Sequence, residues 1–215
     1  MRFELRTTAD GSLTVFDHEA GECFKSRHAA RSEAEHVFYR PAVVDNQWLG
    51  KAAPFRVVEL GFGLGTNFLH FSESGFQGEF VSIERDLSGV EFFLDKEKNE
   101  TLETLVQERI LKTGNLTARI LKDDFKNALE RLARENFLAH AVLFDPFSPK
   151  ANPEAWTAEL FRLAAAVLAP GGRLVTYSVS RAAKDAALGA GLAVEKHDLP
   201  PSLQKRSALV AIKPA

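Results

Sequence analysis

Residues 56–67 read Arg56-Val57-Val58-Glu59-Leu60-Gly61-Phe62-Gly63-Leu64-Gly65-Thr66-Asn67, and this run narrows the possible folds more than any other. A short β-branched apolar stretch leads to an acidic residue, three glycines at alternate positions and then a helical pattern. That order predicts a strand, a tight turn and a helix start. Glycines at such a turn let the backbone reverse sharply and approach a ligand where a Cβ would clash. The turn therefore offers a nucleotide-like ligand a place at the carboxyl end of a parallel strand. The spacing is G-x-G-x-G, not the G-x-G-x-x-G of dinucleotide-binding folds. On this run alone, a strand-to-helix turn with no ligand would read the same way.

The rest of the chain repeats the alternation. From Phe55 onward, strand signals at 56–60, 80–84, 117–121, 140–145, 173–178, 192–196 and 207–212 alternate with helical patterns at 65–74, 87–97, 100–111, 124–136, 154–168 and 181–189. Alternation of this kind predicts an α/β, Rossmann-like fold: a mostly parallel seven-stranded sheet with helices on both faces. Pro170-Gly171-Gly172 reads as a turn between helix and strand. The last strand follows Pro200-Pro201 without a long helix, so an antiparallel return is expected there. Ahead of this core, 2–8 and 12–17 alternate apolar with polar around Ala9-Asp10-Gly11, an N-terminal β-hairpin signal. Residues 26–40 carry a helical pattern that Pro41 ends. The expected organisation is an extension over 1–54 packed on a core domain over 55–215.

Composition excludes several classes. The chain has 215 residues, enough for one good-sized core, with 45% hydrophobic and 26% charged residues. Cys23 is the single cysteine, which leaves no intramolecular disulfide and no cysteine-based zinc site and fits a reducing compartment. The six histidines show no metal-ligand spacing, so no metal is expected. The N-terminus lacks the apolar core of a signal peptide, and no stretch approaches the roughly 18 apolar residues of a membrane span. A cytoplasmic protein with no membrane partner is the natural expectation. A net charge of −2 does not advertise nucleic-acid binding, although a local basic patch is compatible with it.

Two acidic marks follow the glycine turn. Glu84 ends the strand Phe80-Val81-Ser82-Ile83-Glu84, where a carboxylate can accept hydrogen bonds from both ribose hydroxyls of a nucleoside. Asp123 and Asp124 follow the next strand, where one can hold an adenine amino group and the other can cap the helix that begins there. The most specific segment runs from Leu143 to Thr157 and begins Leu143-Phe144-Asp145-Pro146-Phe147-Ser148-Pro149. A strand end delivers Asp145 to the sheet's carboxyl edge, and three prolines stiffen the loop behind it. Phe147 offers an apolar face and Ser148 a hydroxyl. A carboxylate so placed can bind a cationic or amine group and help deprotonate it, or cap the loop. Trp156 reads as packing for the next helix. Tyr177 and Ser178, at the end of the fifth core strand, can orient a substrate or lie in the core.

Three segments carry a resemblance to a known family. They are Val58 to Leu69, Asp145-Pro146-Phe147-Ser148-Pro149 through Asn152-Pro153-Glu154-Ala155-Trp156-Thr157, and Leu168-Ala169-Pro170-Gly171-Gly172-Arg173-Leu174-Val175-Thr176-Tyr177-Ser178. Together with Asp10 to Thr14 and Ser26 to Phe38, they are similar to the methyltransferase module of the tRNA 5-methylaminomethyl-2-thiouridine biosynthesis proteins. The resemblance implies a class I S-adenosylmethionine-dependent methyltransferase. It implies cofactor binding by Glu59, Gly61, Phe62, Gly63, Gly65, Asn67, Glu84, Asp123, Asp124 and Asp145. It implies transfer of a methyl group to the primary amine of 5-aminomethyl-2-thiouridine at the tRNA wobble position. Asp145 would be the catalytic carboxylate, with Phe147, Ser148 and Tyr177 shaping the pocket.

The chain also departs from that family. It ends at Ala215 without the flavin-dependent oxidase domain of bifunctional members, so no flavin is expected and a separate oxidase partner would supply the amine. Residues 85–116 are more compact than the family's. Lys205 and Arg206 stand without the glycines that usually precede them, as phosphate contacts beside Arg27, His28, Arg31 and Lys150. Two other readings stay open. One is a methyl- or aminopropyl-transferase acting on a small-molecule amine; the other is a non-catalytic S-adenosylmethionine-binding module. The oligomeric state is not legible.

Overall fold

A computed structural model describes residues 1–9, 11–25, 30–51, 54–203 and 205–215. Its centre is an eight-stranded sheet built from β4 (Phe55–Leu60), β5 (Gly78–Ile83), β6 (Ile110–Thr113), β7 (Leu116–Leu121), β8 (Ala139–Phe144), β9 (Leu168–Thr176), β10 (Ala193–Asp198) and β11 (Ser207–Ile212). The order across the sheet is β10-β11-β9-β8-β4-β5-β7-β6. The five inner strands from β9 to β7 run parallel. β11 lies antiparallel to both β9 and β10, the return expected after Pro200-Pro201.

The inner strands are continuous apolar runs because both faces are covered. On one face Val57 and Phe80 pack with Phe68 and Phe71 of α2 (Thr66–Glu73), Val90 of α3 (Ser88–Lys96) and Leu102 and Leu105 of α4 (Glu100–Glu108). On the other, Val58, Leu60 and Val81 pack with Leu129 and Leu132 of α5 (Phe125–Arg134), Phe161 and Ala164 of α6 (Ala158–Ala166) and Ala187 of α7 (Arg181–Gly189). Each fully buried side chain of this size contributes about 1.5–3 kcal/mol. The chain leaves β4 toward β5 and β7 on one side, while β8 and β9 lie on the other. The boundary between β4 and β8 is therefore the switch point, where open α/β sheets bind ligands.

All seven expected core strands are present, and the structure adds an eighth. The pattern over 100–111 predicts helix throughout, yet α4 ends at Glu108 and Arg109 takes a left-handed conformation, φ 62°. The chain then turns back as β6 along β7. Ile110 and Leu111 continue the apolar period of the helix, which hides the break. Pro170-Gly171-Gly172 is not a free turn: it lies inside β9, at an irregularity in its register with β8. The helix expected over 154–168 is a 3₁₀ turn at Pro153–Trp156 followed by α6.

Ahead of the core, β1 (Phe3–Thr7), β2 (Leu13–Asp17) and β3 (Glu22–Cys23) form a small antiparallel sheet. The expected hairpin is there; Asp10 of its turn lies outside the described residues. Phe3 and Val15 pack on Leu64, and Arg2 pairs with Asp17 at 2.9 Å and with Asp86 at 2.7 Å. Ser26, Arg27 and His28, where the next helix was expected to start, lie outside the described residues. α1 (Ala30–Glu33) runs on as a π-helix over Ala34–Val44, which carries Pro41 inside it instead of stopping there. Asn46 ties off this segment by donating to the carbonyls of Ala42 and His140, each at 2.9 Å. No helix among the described residues is long and apolar enough to cross a membrane.

Candidate active site

β4 and β8 are neighbours in parallel register, so the glycine turn after β4 and the Asp145 loop after β8 leave the sheet side by side. Asp145 donates its N–H to the Leu60 carbonyl, 3.0 Å, which fixes the loop to the end of β4. Gly61 has φ +92°, and a Cβ on it would sit 2.6 Å from the Asp145 carbonyl oxygen. Gly65 has φ +72°, and a Cβ there would meet Leu102 at 2.4 Å. Only glycine satisfies both the dihedral and the approach at these two positions. The turn is thus closed against the Asp145 loop on one side and against α4 on the other.

A cavity of about 650 Å³ opens between this turn, the Asp145 loop and the N-terminal segment Gly21–Lys25. Gly61, Phe62, Gly63, Glu84, Asp145, Phe147, Ser148 and Tyr177, all singled out in the sequence, line it. Glu59, Gly65, Asn67, Asp123 and Asp124 do not. Glu59 is fully buried on β4, one layer behind the wall. Its register partner on β5 is Ser82, whose hydroxyl donates to it at 2.6 Å, and Asn67 donates to its other oxygen at 2.9 Å. Burial pushes the Glu59 carboxyl up to about 8, against the pull of Ser82, Lys25 and Asn67. Asp124 caps α5, accepting from the Asn127 N–H at 2.9 Å; Asp123 accepts from the Asp124 N–H at 2.9 Å. Of that turn it is Phe125 that reaches the cavity.

Glu84 stands where a ribose-binding carboxylate was expected. It accepts from the Gly63 N–H at 3.3 Å and from the Asp86 N–H at 3.1 Å, so the glycine turn and the end of β5 are joined through it. Burial raises its carboxyl above the usual range. A cradle of glycine backbone with a fixed carboxylate at its edge fits the nucleoside and amino-acid ends of S-adenosylmethionine, and the cavity volume suits a ligand of that size.

The adjoining wall is built from side chains. Asp145 Oδ2 accepts from the Lys25 ammonium and from Asn67 Nδ2 at 3.0 Å. Lys25 also donates to Asn67 Oδ1 at 3.3 Å, and its ammonium lies 5.1 Å from the centre of the Phe38 ring. Asn67 therefore links Glu59, Lys25 and Asp145 in one buried network. Burial works against the Lys25 ammonium, but Asp145 and then Glu33 outweigh it and hold its pKa above the ordinary value. Burial pushes the Asp145 carboxyl up while Lys25 pulls it back. Among the described residues, Asp145 Oδ1 has no hydrogen-bond partner, and the side chain keeps 11% of its surface open.

The loop after Asp145 is held from three directions. The Glu22 carboxylate accepts from the Ser148 hydroxyl and from the Ser148 N–H, the latter at 3.1 Å. Trp156 Nε1 donates to the Phe147 carbonyl at 2.8 Å, so this residue props the loop as well as packing against Phe144 and Phe161. The Tyr177 hydroxyl donates to the Pro146 carbonyl at 3.0 Å, and burial with nearby Asp145, Glu22 and Glu33 keeps the phenol protonated. Phe147 meets Phe24 with ring centres 5.0 Å apart. Lys205 pairs with Glu33 at 2.9 Å and lies over the Tyr177 ring, facing the cavity rather than open solvent alone. Arg31, Lys150 and Arg206 are exposed; Arg27 and His28 lie outside the described residues. Ser178 is buried and donates to Ser180.

Sequence reasoning missed Lys25, Glu22, Phe24 and Glu33. All four sit in the N-terminal extension with no recognised motif beside them, and Lys25 and Glu22 meet partners 120 and 126 residues away.

Comparisons with known proteins give relatives in sequence and in fold. The tRNA 5-methylaminomethyl-2-thiouridine biosynthesis bifunctional protein MnmC of Paracidovorax citrulli is 29% identical over 92% of this chain and 34% of its own length. The protein of the same name from Azoarcus sp. is 30% identical over 85% of this chain and 32% of its own length. The chain thus spans about a third of the length of these curated relatives. Among solved structures, MnmC2 from Aquifex aeolicus superposes with a TM-score of 0.77 at 28% identity, covering 99% of this chain and 72% of that one. Spermidine synthase from Thermotoga maritima shares the fold, with a TM-score of 0.66 at 12% identity, over 98% of this chain and 69% of that one. A family model described as S-adenosyl-L-methionine-dependent methyltransferase matches residues 91–214, the part of the chain that carries Asp145, Phe147, Ser148 and Tyr177. The chain belongs to this family of S-adenosyl-L-methionine-dependent methyltransferases.

Proposed function

We propose that this methyltransferase acts on the primary amine of 5-aminomethyl-2-thiouridine at the wobble position of tRNA. The observation that carries the proposal is the Asp145 carboxylate. It lines the cavity beside the glycine turn, with Oδ2 fixed by Lys25 and Asn67 and Oδ1 open. The likeness to MnmC2 over nearly the whole chain, and to the tRNA 5-methylaminomethyl-2-thiouridine biosynthesis proteins, supports this reading. In this reading residues 1–54 form an extension that closes the acceptor side of a core over 55–215.

When bound, S-adenosylmethionine supplies a methyl group on a sulfonium, an electrophile that a neutral amine can attack. Gly61 and Gly63 would bring their backbone against it, with Phe62 at the turn. Glu84 would accept from the ribose hydroxyls and Asp123 from the adenine amino group. Gly65, Asn67 and Glu59 act from behind, closing the turn and orienting Asp145. An alkylamine has a pKa near 10, as lysine does at about 10.4, so about one molecule in a thousand is unprotonated at pH 7. Asp145 Oδ1 would accept an N–H of the amine and aim its lone pair, and alignment of this kind supplies a large share of the rate. Phe24 and Phe147 would flank the base, and Ser148 and Tyr177 would keep the loop in place. Lys205, Arg206, Arg31 and Lys150 are candidates for tRNA phosphates, with a separate oxidase supplying the amine. The reaction as proposed draws on no flavin and no metal, and it belongs in the cytoplasm with tRNA.

The test is transfer from labelled S-adenosylmethionine to bulk tRNA of cells that accumulate 5-aminomethyl-2-thiouridine. Label should appear in the wobble nucleoside and be lost with Asp145→Ala. No label on tRNA, with S-adenosylmethionine binding intact by calorimetry, would overturn the substrate and redirect the search to small amines.

A further inference from the structure

The cavity contains a cation that the amine-transfer reading does not call for. Lys25 is buried, 4% exposed at its side chain, and its ammonium sits on Asp145, the carboxylate to which the reading above assigns the amine. Its neighbours among the described residues come from several elements. Asp145 comes from the loop after β8, Asn67 from α2, Glu59 from β4, Glu33 from α1 and the Phe38 ring from the π-helical segment. Glu33 is paired with Lys205, which lies against Tyr177 of the loop after β9. Two donors, Lys25 Nζ and Asn67 Nδ2, converge on the single oxygen Asp145 Oδ2, the arrangement of an ionised carboxylate beside a charged lysine. The pair is therefore balanced before any substrate arrives.

We propose that Lys25 restricts the acceptor to its unprotonated form: its ammonium already holds the Asp145 carboxylate, so Asp145 offers no net negative charge to an incoming ammonium, while Glu33 is paired with Lys205 and Glu22 is turned to Ser148. This rests on the amine-methyltransferase reading above. A protonated amine would enter beside Lys25 and the cofactor sulfonium as a further cation with no counterion at Asp145, which is disfavoured. A neutral amine meets no such penalty and can donate an N–H to Asp145 Oδ1. The charge count then stays constant through the reaction. The nitrogen lone pair forms the new N–C bond, the C–S bond breaks with its electron pair going to sulfur, and the positive charge passes from sulfur to nitrogen. The methylated ammonium afterwards gives its extra proton to water. Lys25 acts through Asp145 and through the field in the pocket, as a positioning residue.

Two measurements on the full chain test this, with Lys25→Met as the neutral variant and Lys25→Arg as the charged one. In single turnovers on the aminomethyl-bearing tRNA, the acid limb of the rate reports the amine in the complex. It should move up by a pH unit or more in Lys25→Met and stay near wild type in Lys25→Arg. An unmoved limb in Lys25→Met overturns the proposal. The second measurement needs no tRNA: ¹⁵N-methylammonium is titrated into the protein with S-adenosylhomocysteine and followed by NMR. Lys25→Met should gain a methylammonium site that Lys25→Met/Asp145→Asn lacks, while wild type shows none. Equal binding by wild type and Lys25→Met overturns the proposal. If Lys25→Met fails to fold, Lys25→Gln takes its place in both measurements. Should wild type methylate no tRNA while Lys25→Met still gains the site, the substrate falls and the role of Lys25 stands.

Discussion

The two walls of the cavity are made from different materials. Around the turn after β4 the ligand-facing surface is backbone: Gly61 and Gly63 approach the cavity, and Glu84, 21 residues beyond Gly63, is fixed by main-chain N–H groups. Beside it the surface is side chain, with Asp145 held by Lys25 and Asn67, and Ser148 held by Glu22. Backbone geometry is set by short runs of residues and is hard to perturb except at the glycines. A side-chain network spanning 120 residues of sequence depends on every member, because removing one partner leaves another buried and unsatisfied. A wall of the first kind suits a cofactor that is always the same.

The contrast is sharpest at Asp145, where the largest effect is expected. Asp145→Ala leaves the Lys25 ammonium buried without its counterion. Methyl transfer should fall by at least about 100-fold, and stability to urea should drop by about 3–5 kcal/mol. A variant that unfolds like wild type would mean the pair is not the keystone of that wall. On the backbone side, Gly61→Ala forces a Cβ to within 2.6 Å of the Asp145 carbonyl at φ +92°. Its cost should be about 1–3 kcal/mol in stability, and S-adenosylmethionine affinity should fall by tenfold or more by calorimetry.

How far each wall could be read in advance follows from the same difference. Gly61, Gly63 and Glu84 were legible because glycine spacing and a strand-end carboxylate are local signals. Asp145, Phe147 and Ser148 were legible because prolines mark their loop. Glu59 and Asn67 were found but belong one layer back: alternation along β4 turns Glu59 toward α2, and only the register with Ser82 shows it fully enclosed. Asp124 proved to be the helix cap, a use its position before Phe125 allowed from the start. Lys25, Glu22 and Glu33 were not legible, since their partners lie 120, 126 and 172 residues away and nothing local marks them. Among the strands, β6 was hidden by apolar residues that continue the period of α4.

Two smaller effects complete the comparison. Glu84→Ala removes a carboxylate from the cofactor wall without touching the Lys25 network. Affinity for S-adenosylmethionine should fall about tenfold or more with the charged hydrogen bonds to the ribose, and the Gly63 and Asp86 N–H groups left without their acceptor should cost about 1–3 kcal/mol in urea stability. Affinity unchanged in this variant would remove Glu84 from the cofactor site. Behind both walls, Glu59 has its carboxyl pushed up to about 8 in the folded protein from an ordinary value of 4.5. A raised acid favours the folded state while protonated. Its contribution is complete below about pH 4.5 and is lost as pH rises toward and through 8. Glu59→Gln should therefore flatten the decline of stability between pH 5 and 8, by an amount on the order of 1–2 kcal/mol in urea unfolding. A wild-type curve parallel to that of Glu59→Gln would show the carboxyl already ionised in the fold.

The division of labour between the walls is tested most directly by calorimetric titration of S-adenosylmethionine into Asp145→Asn, an isosteric change, with Glu84→Ala alongside. The account predicts that Asp145→Asn binds the cofactor within about threefold of wild type while failing to methylate tRNA, and that Glu84→Ala loses about tenfold in affinity. Loss of cofactor affinity in Asp145→Asn equal to that in Glu84→Ala, with the fold intact, would contradict it: Asp145 would then belong to the cofactor wall and the acceptor would be held elsewhere.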